Sequence, residues 1–322
     1  MKKTTKIALI CLGLGLVLTG IGWLNHGDKS VTWSHDHRGF QVIEQHQTSM
    51  NPGTYHKIMV NAKSRVTIQE GDSNRVTVTT MTNHRQDAAK ATVSKGTLFI
   101  TGGQPTYRLS HFFIGFSPVS DTSDKVLVTV PRGTRLSDVT VQKASRRLSL
   151  QGIQAKTMNL CSSTDSRIAN TKVAGRLTIQ SKDGDVQVNQ TQAKHLSLTA
   201  ENGNVTVMNS RVSANDTQVT SQNGDVRLTQ NKLGGGKVTS LNGDLHLQNN
   251  RVAKTLKAYT DDGDITAHID RTAGLETRLN DADMGDISVA GRSQNSGYRR
   301  HSHATSQYQL TSADGDISVS FW

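Results

Sequence analysis

A turn centred on glycine recurs seven times between Ser181 and Ser320, about once every twenty residues. The glycines are Gly184, Gly203, Gly224, Gly243, Gly263, Gly285 and Gly315, and each is followed by Asp or Asn. Three residues before each glycine the side chain is small, from Ser181 to Ser312; two and four residues after it the side chains are apolar, from Val186 and Val188 to Ile317 and Val319. Alternation rich in β-branched residues marks a strand with one buried face. A unit this short cannot cover that face alone, so successive copies must pack on one another.

Two architectures accommodate such strands. In a meander of hairpins, each Asx-Gly pair is a two-residue turn and the strands on either side of it pair with each other. In a β-solenoid the same pair is a corner, and each strand pairs with its equivalent one coil away, about 4.8 Å distant. Val173, Ala193, Val212, Leu233 and Val252 lie ten to twelve residues before successive glycines. A hairpin has no use for an apolar residue there, whereas a coil with a third inward-facing side does. Asn170, Asn189, Asn209, Asn231 and Asn250 precede that side and are placed to form amide ladders down the axis. The Asx-Gly bends themselves are expected to use left-handed backbone, which glycine adopts without penalty and Asx tolerates.

Degraded copies extend the pattern backwards, with Ser166 standing for glycine in Ser163–Ile168 and Leu148 and Leu150 at the apolar positions. Forwards it ends at Phe321-Trp322, expected to cap the last open strand edge.

The chain has 322 residues, a formal net charge of +11 and few aromatics, which suits a narrow aliphatic core. Lys2, Lys3 and Lys6 precede an uncharged stretch from Ile7 to Leu24, close to the roughly 20 residues that span a bilayer. The positive flank predicts a cytoplasmic amino end and places everything from about Asn25 onward outside. A signal peptide cut near Gly20-Ile21-Gly22 is the competing reading. The expected organisation is a membrane anchor or uncleaved signal over 1–26, a polar stalk over 27–54, an N-terminal β region of the solenoid over 55–142 and the Gly-Asp repeat solenoid over 143–322. Cys11 and Cys161 fall on different sides of that plan and cannot pair, and Cys161 is expected as a small core residue. His35 with His37, and His301 with His303, lack the second ligand pair that a metal site needs.

Between Tyr55 and Gln142 strand-like runs continue without the strict repeat, among them Thr97-Leu-Phe-Ile-Thr101 and Lys125-Val-Leu-Val-Thr-Val-Pro-Arg-Gly-Thr134. Followed by tandem Ser-x-Asn-Gly-Asp-Val copies, this order resembles the bacterial putative-adhesin family of β-strand-repeat domains, from about Tyr55 to Trp322. The resemblance implies an all-β, single-stranded β-solenoid or β-helix on the outer face of a membrane, with no established catalytic activity and with relatives in Gram-positive cell-envelope-stress operons. It supplies no functional residues.

Six aspartates follow the turn glycines: Asp185, Asp225, Asp244, Asp264, Asp286 and Asp316. Stacked carboxylates repel unless they face water or share a cation such as Ca²⁺. Their recurrence with the turn fits a backbone requirement, whereas hydrolase or lyase chemistry needs acids and bases converging on one cleft. Neither a cofactor nor a metal is therefore expected, and no enzyme. Two segments outside the repeat are candidates for contacts. Gly291 to Gln307 carries Arg292, Tyr298, Arg299 and Arg300; Gly102 to Asp121 carries Tyr107, Phe112 and Phe113. An exported basic protein suits anionic wall polymer, lipid head groups or a membrane-protein partner, and nothing here resembles a nucleic-acid-binding motif. The function expected is binding at the cell surface, adhesin-like or as an envelope-stress component; the alternatives are a structural spacer or regulator contacting another membrane protein, or a polysaccharide-active enzyme.

Overall fold

The computed structural model describes residues 3–24, 31–34, 39–42, 44–82, 88–102, 113–114, 124–144, 146–281 and 284–322. Lys3–Leu24 is a single helix. Its Thr5–Leu24 stretch has a mean hydropathy of 2.3 and no residue covered by the rest of the chain. Twenty residues at 1.5 Å each reach about 30 Å, the thickness of a bilayer's hydrocarbon core.

The remainder is built from β-strands, and their pairing decides between the two architectures. Strands leaving the glycine turns, such as Val186–Asn189, Val205–Met208 and Val226–Thr229, pair in parallel with one another. Strands approaching the turns, such as Lys172–Asp183, Gln192–Asn202 and Thr217–Asn223, do the same in a second sheet. Each strand thus bonds to its equivalent one rung away, which is a solenoid. The third side is present: Val173, Ala193, Val212, Leu233 and Val252 stack in register and are buried. A single rung such as Val205, Val207, Val212 and Val219 gains about 1.5–3 kcal/mol per side chain from burial, and only when its neighbours dock.

The glycine corner has a specific chemistry. The Ser221 hydroxyl donates to the Gly203 carbonyl at 2.8 Å, Ser240 to Gly224 at 2.8 Å and Thr260 to Gly243 at 2.9 Å. A Cβ on Gly243 would lie 2.7 Å from the Gly224 carbonyl, so the glycine column exists because backbone of the next rung occupies the side-chain space. Gly243 also has φ +150°, a positive value that residues with side chains rarely adopt. Left-handed residues other than glycine stand at the opposite corner, where Asn170, Gln190, Asn209, Gln230 and Asn249 have φ between +48° and +56°. The five asparagines before the third side therefore separate into different columns. Asn170 and Asn209 hold the left-handed bend, whereas Asn231 and Asn250 lie one position on and are buried, Asn231 donating to the Val207 carbonyl and to Asn250 Oδ1.

At both ends the order of rungs in space departs from the order in sequence. Gln307–Asp314 lies between Thr255–Asp262 and Gly274–Leu279, and Ile317–Phe321 lies between Ile265–Ile269 and Ile287–Val289. The last rung of the chain is therefore inserted one place inside the end of the stack. The opposite end mirrors it: Lys57–Ala62 sits between Thr97–Gly102 and Arg135–Ala144, and Arg65–Gly71 between Lys125–Pro131 and Leu148–Gln151. Antiparallel strands close the outer edges, Arg292–Gln294 and Arg299–Arg300 at one end, Arg75–Thr82 and Lys90–Ser94 at the other. Within the segment expected as a stalk, Glu44–Met50 pairs with Arg75–Thr82. The sheets thus end on Glu44–Met50, Lys90–Ser94 and the short Arg292–Gln294 and Arg299–Arg300 strands, and short edge strands offer little template for another chain.

Three expectations are corrected. Phe321-Trp322 does not cap the stack, because its rung is internal; the covering is done by Gly274–Leu279, Ile287–Val289, Arg292–Gln294 and Arg299–Arg300. Ser166 does not replace a glycine: it pairs with Val186 and points inward, and Thr164 and Asp165 are the residues beside Gly184. Cys161 faces outward from its strand, its Sγ 3.5 Å from Gln180 Oε1, since Leu160 and Ser162 take the inward positions. Partial burial raises its thiol pKa above the usual value.

Candidate functional site

The aspartates after the turn glycines are used by the backbone of the next rung. Asp185 Oδ1 accepts the Asn204 N–H at 2.9 Å, Asn204 Oδ1 that of Asp225 at 2.8 Å, Asp225 Oδ1 that of Asp244 at 3.0 Å, and Asp244 Oδ1 that of Asp264 at 2.9 Å. The column continues to Asp316 and then Asp286, which follows the spatial order of the rungs. Beside it, Asn202, Asn223 and Asn242 pass an amide ladder down to Asp183. Among the described residues no group of three or more His, Cys, Asp or Glu is arranged to hold a metal ion.

The basic segment after Gly291 is the end cover. Arg292 pairs with Val289. Arg299 places two nitrogens on Glu276 Oε1, at 3.2 and 2.7 Å, while Arg300 donates to the Arg271 carbonyl at 3.2 Å and lies 4.2 Å from the Phe321 ring centre. Tyr298 packs against the core, and its carbonyl accepts the Thr277 N–H. Of the aromatic segment, Tyr107 and Phe112 lie outside the described residues, as do His35 and His37; Phe113 sits in a two-residue strand paired with Thr32.

Register reveals a surface that loop composition did not. The residue preceding each third-side apolar position faces outward, and the stacked set reads Arg135, Gln154, Lys172, Gln192, Arg211, Lys232 and Arg251. At about 4.8 Å per rung the column runs roughly 29 Å along the axis. Lys172, Arg211, Lys232 and Arg251 are exposed, and none forms an ion pair within the described residues. Arg211, Lys232 and Arg251 are adjacent in the stack, so their like charges repel one another. Lys156 and Lys194 add exposed cations two residues further on. The pattern was available as Lys172-Val173, Arg211-Val212, Lys232-Leu233 and Arg251-Val252, once the third side was aligned.

Clefts flank this column. One, of about 390 Å³, is lined by Asp216, Gln218, Lys237, Lys254 and Lys257 among others. Asp216 is occupied, with His195 Nδ1 at 2.8 Å and the Arg176 guanidinium at 3.3 Å. Burial pushes its carboxyl up, but the hydrogen bond and charge of His195, with those of Arg176, outweigh this and leave it below the usual carboxylate range. A second cleft, of about 470 Å³, lies where the column meets Trp322 and includes Lys232, Arg251 and His268.

No curated protein matches the chain. Among solved structures it is similar to putative adhesins from Parabacteroides merdae (10% identity, 86% of this chain and 96% of that one, TM-score 0.49), Parabacteroides distasonis (12%, 85% and 97%, 0.48) and Bacteroides fragilis (11%, 87% and 97%, 0.45). Residues 55–320 match the family described as Toastrack DUF4097.

Proposed function

The chain belongs to the Toastrack DUF4097 family, and from that premise we propose that it is a single-pass membrane protein whose solenoid lies outside the cytoplasm and binds anionic envelope polymer without chemical turnover. The observation that carries this reading is the column of Lys172, Arg211, Lys232 and Arg251, in register and without a salt bridge among the described residues, although the Asp270 carboxylate feels the charge of Arg251. A line of cations fixed by strand stacking matches a partner that is itself linear and negative, and binding it relieves the column's self-repulsion. The repeat aspartates each give one carboxylate oxygen to a backbone N–H of the next rung, which gives them an architectural use. The apolar helix with Lys2, Lys3 and Lys6 at its start supports an anchor with its amino end inside. Arg292, Tyr298, Arg299 and Arg300 form a second basic edge, and they serve as the comparison surface.

Two measurements test this. In intact cells a membrane-impermeant maleimide should label Cys161, which is outward-facing, in a Cys11→Ser background; labelling only after lysis would place the solenoid inside. The full-length protein in phosphatidylcholine nanodiscs should bind inorganic polyphosphate with an affinity that falls steeply with salt. Joint Lys172→Gln, Arg211→Gln, Lys232→Gln and Arg251→Gln substitution should weaken that binding at least roughly tenfold, more than Arg292→Gln with Arg299→Gln. Equal loss from both sets, or no binding, refutes the assignment of the third side.

A further inference from the structure

We infer that the cleft beside Trp322 is a subsite for one anionic sugar unit, a pyranose carrying a carboxylate or phosphate. The inference deepens the polymer-binding reading above and rests on it.

Trp322 is fixed by backbone on both sides: its N–H donates to the Ile269 carbonyl at 3.1 Å, and its own carbonyl accepts the Arg271 N–H at 3.2 Å. Its neighbour Phe321 is held against the core and under Arg300. The Trp322 side chain nonetheless remains 38% exposed. A large aromatic residue anchored this firmly, with more than a third of its surface open to the cleft, can serve as a platform. It is not an end cap, since its rung lies inside the stack.

The surroundings specify the ligand. The cleft is lined by Gln230, Lys232, Asn249, Arg251 and His268 together with Trp322 and the buried Asn231. The Arg251 guanidinium lies over one face of the indole, 5.9 Å from its centre, a cation–π contact, so a sugar stacks on the other face. Lys232 is its neighbour in the stack, so the cleft sits at one end of the cation column. Gln230 and Asn249 occupy the left-handed corner and are exposed, and their side-chain amides make no hydrogen bond within the described residues. His268 Nδ1 is taken by Ser320 Oγ at 2.8 Å. The nearby Asp270 is turned to Thr272, its Oδ1 accepting the backbone N–H at 2.8 Å and the hydroxyl at 2.6 Å.

One apolar wall, two cations and free amides match a sugar: its C–H face stacks on the ring, its hydroxyls meet the amides and its anion meets Arg251 and Lys232. A polyphosphate chain has no face for the ring, and a lipid tail needs more than one apolar wall. The size is within the range of small-molecule sites.

The test uses the full-length protein in phosphatidylcholine nanodiscs and isothermal calorimetry with four probes: tetragalacturonate, mannose 6-phosphate, neutral maltotetraose and inorganic polyphosphate. Tetragalacturonate should bind more tightly than maltotetraose, and Trp322→Ala should weaken it roughly tenfold while Trp322→Phe retains most of the affinity. Polyphosphate binding should be unchanged by Trp322→Ala. Mannose 6-phosphate shows whether the ring's anion is read as phosphate as well as carboxylate. If polyphosphate binds but Trp322→Ala leaves both charged sugars unaffected, or weakens sugars and polyphosphate alike, the subsite is refuted while the cation column stands. If neither polyphosphate nor charged sugar binds, both readings fall. Trp322→Ala must melt with the parent protein; should it unfold, loss of tetragalacturonate binding in Gln230→Ala with Asn249→Gly, both outside the cation column, with retained polyphosphate binding supports the subsite, and retention of both overturns it.

Discussion

Tyr308 donates its phenolic hydrogen to the backbone carbonyl of Asn250 at 2.6 Å, joining residues 58 apart in sequence. Tyr308 stands between Leu256 and Leu275 in the sheet and is 1% exposed. Asn250 ends the buried polar ladder of the opposite corner, where its Oδ1 accepts from the Asn231 backbone and side chain. The inserted last rung is therefore tied to the interior of the stack by a hydrogen bond as well as by strand pairing on both sides.

Tyr308→Phe should cost about 1–2 kcal/mol, since it leaves a buried carbonyl without its donor, and Tyr308→Ala about 3–5 kcal/mol through the cavity added. Urea denaturation of the full-length protein measures both. A Phe variant as stable as the parent would show that the hydroxyl contributes nothing to the lock.

The same residue predicts an alkaline limit. Burial raises the Tyr308 phenol above its ordinary value, with a smaller push from Asp270, and burial raises Tyr55 to about 12. Both pKa values are higher folded than unfolded. The stability these groups contribute is thus whole below about pH 10, where unfolded tyrosine titrates, and is lost as pH rises toward the folded values. The melting temperature should fall above about pH 10, and less steeply in Tyr308→Phe. An unaltered slope would mean that Tyr308 is not shielded.

Gly224→Ala should be among the most damaging conservative changes in the repeat. The added Cβ would meet the Gly203 carbonyl group of the adjacent rung, and neither backbone can yield without breaking its ladder. A loss of at least about 2 kcal/mol is expected, against little change for Gly53→Ala, which opens into free space. Thermal melts of the two variants side by side decide it.

Much of this architecture is legible from spacing. The third side is readable because Ala193, Val212, Leu233 and Val252 each lie nine residues after a turn glycine, and that constant spacing becomes register when rungs stack. The insertion of the last rung was not readable, because Gly285 and Gly315 carry the same signature and nothing local says which lies outside. The interruption from Gly291 to Gln307 looked like a basic loop, but its strands Arg292–Gln294 and Arg299–Arg300 are edge covers. The cation column is not legible from loop composition, because its members lie about twenty residues apart and meet only when the rungs stack. Ser166 resembles a turn residue in sequence because a polar side chain there takes an inward position on the strand.

The aspartate column offers a final discrimination, at Asp244. Its Oδ1 accepts the Asp264 N–H at 2.9 Å, and its own N–H donates to Asp225 Oδ1 at 3.0 Å. Only an oxygen acceptor is required, and Asn204 already supplies one from an amide in the same column. Asp244→Asn should therefore keep the hydrogen bond while removing one of a line of like charges, leaving stability unchanged or raised by up to about 0.5 kcal/mol at neutral pH. Asp244→Ala should lose about 1 kcal/mol or more, because the Asp264 N–H loses its partner. If the column instead held Ca²⁺, the Asn variant would be the destabilised one, and the parent's melting temperature would drop on adding a chelator. Melting the parent and the two variants with and without chelator separates a backbone ladder from a cation site.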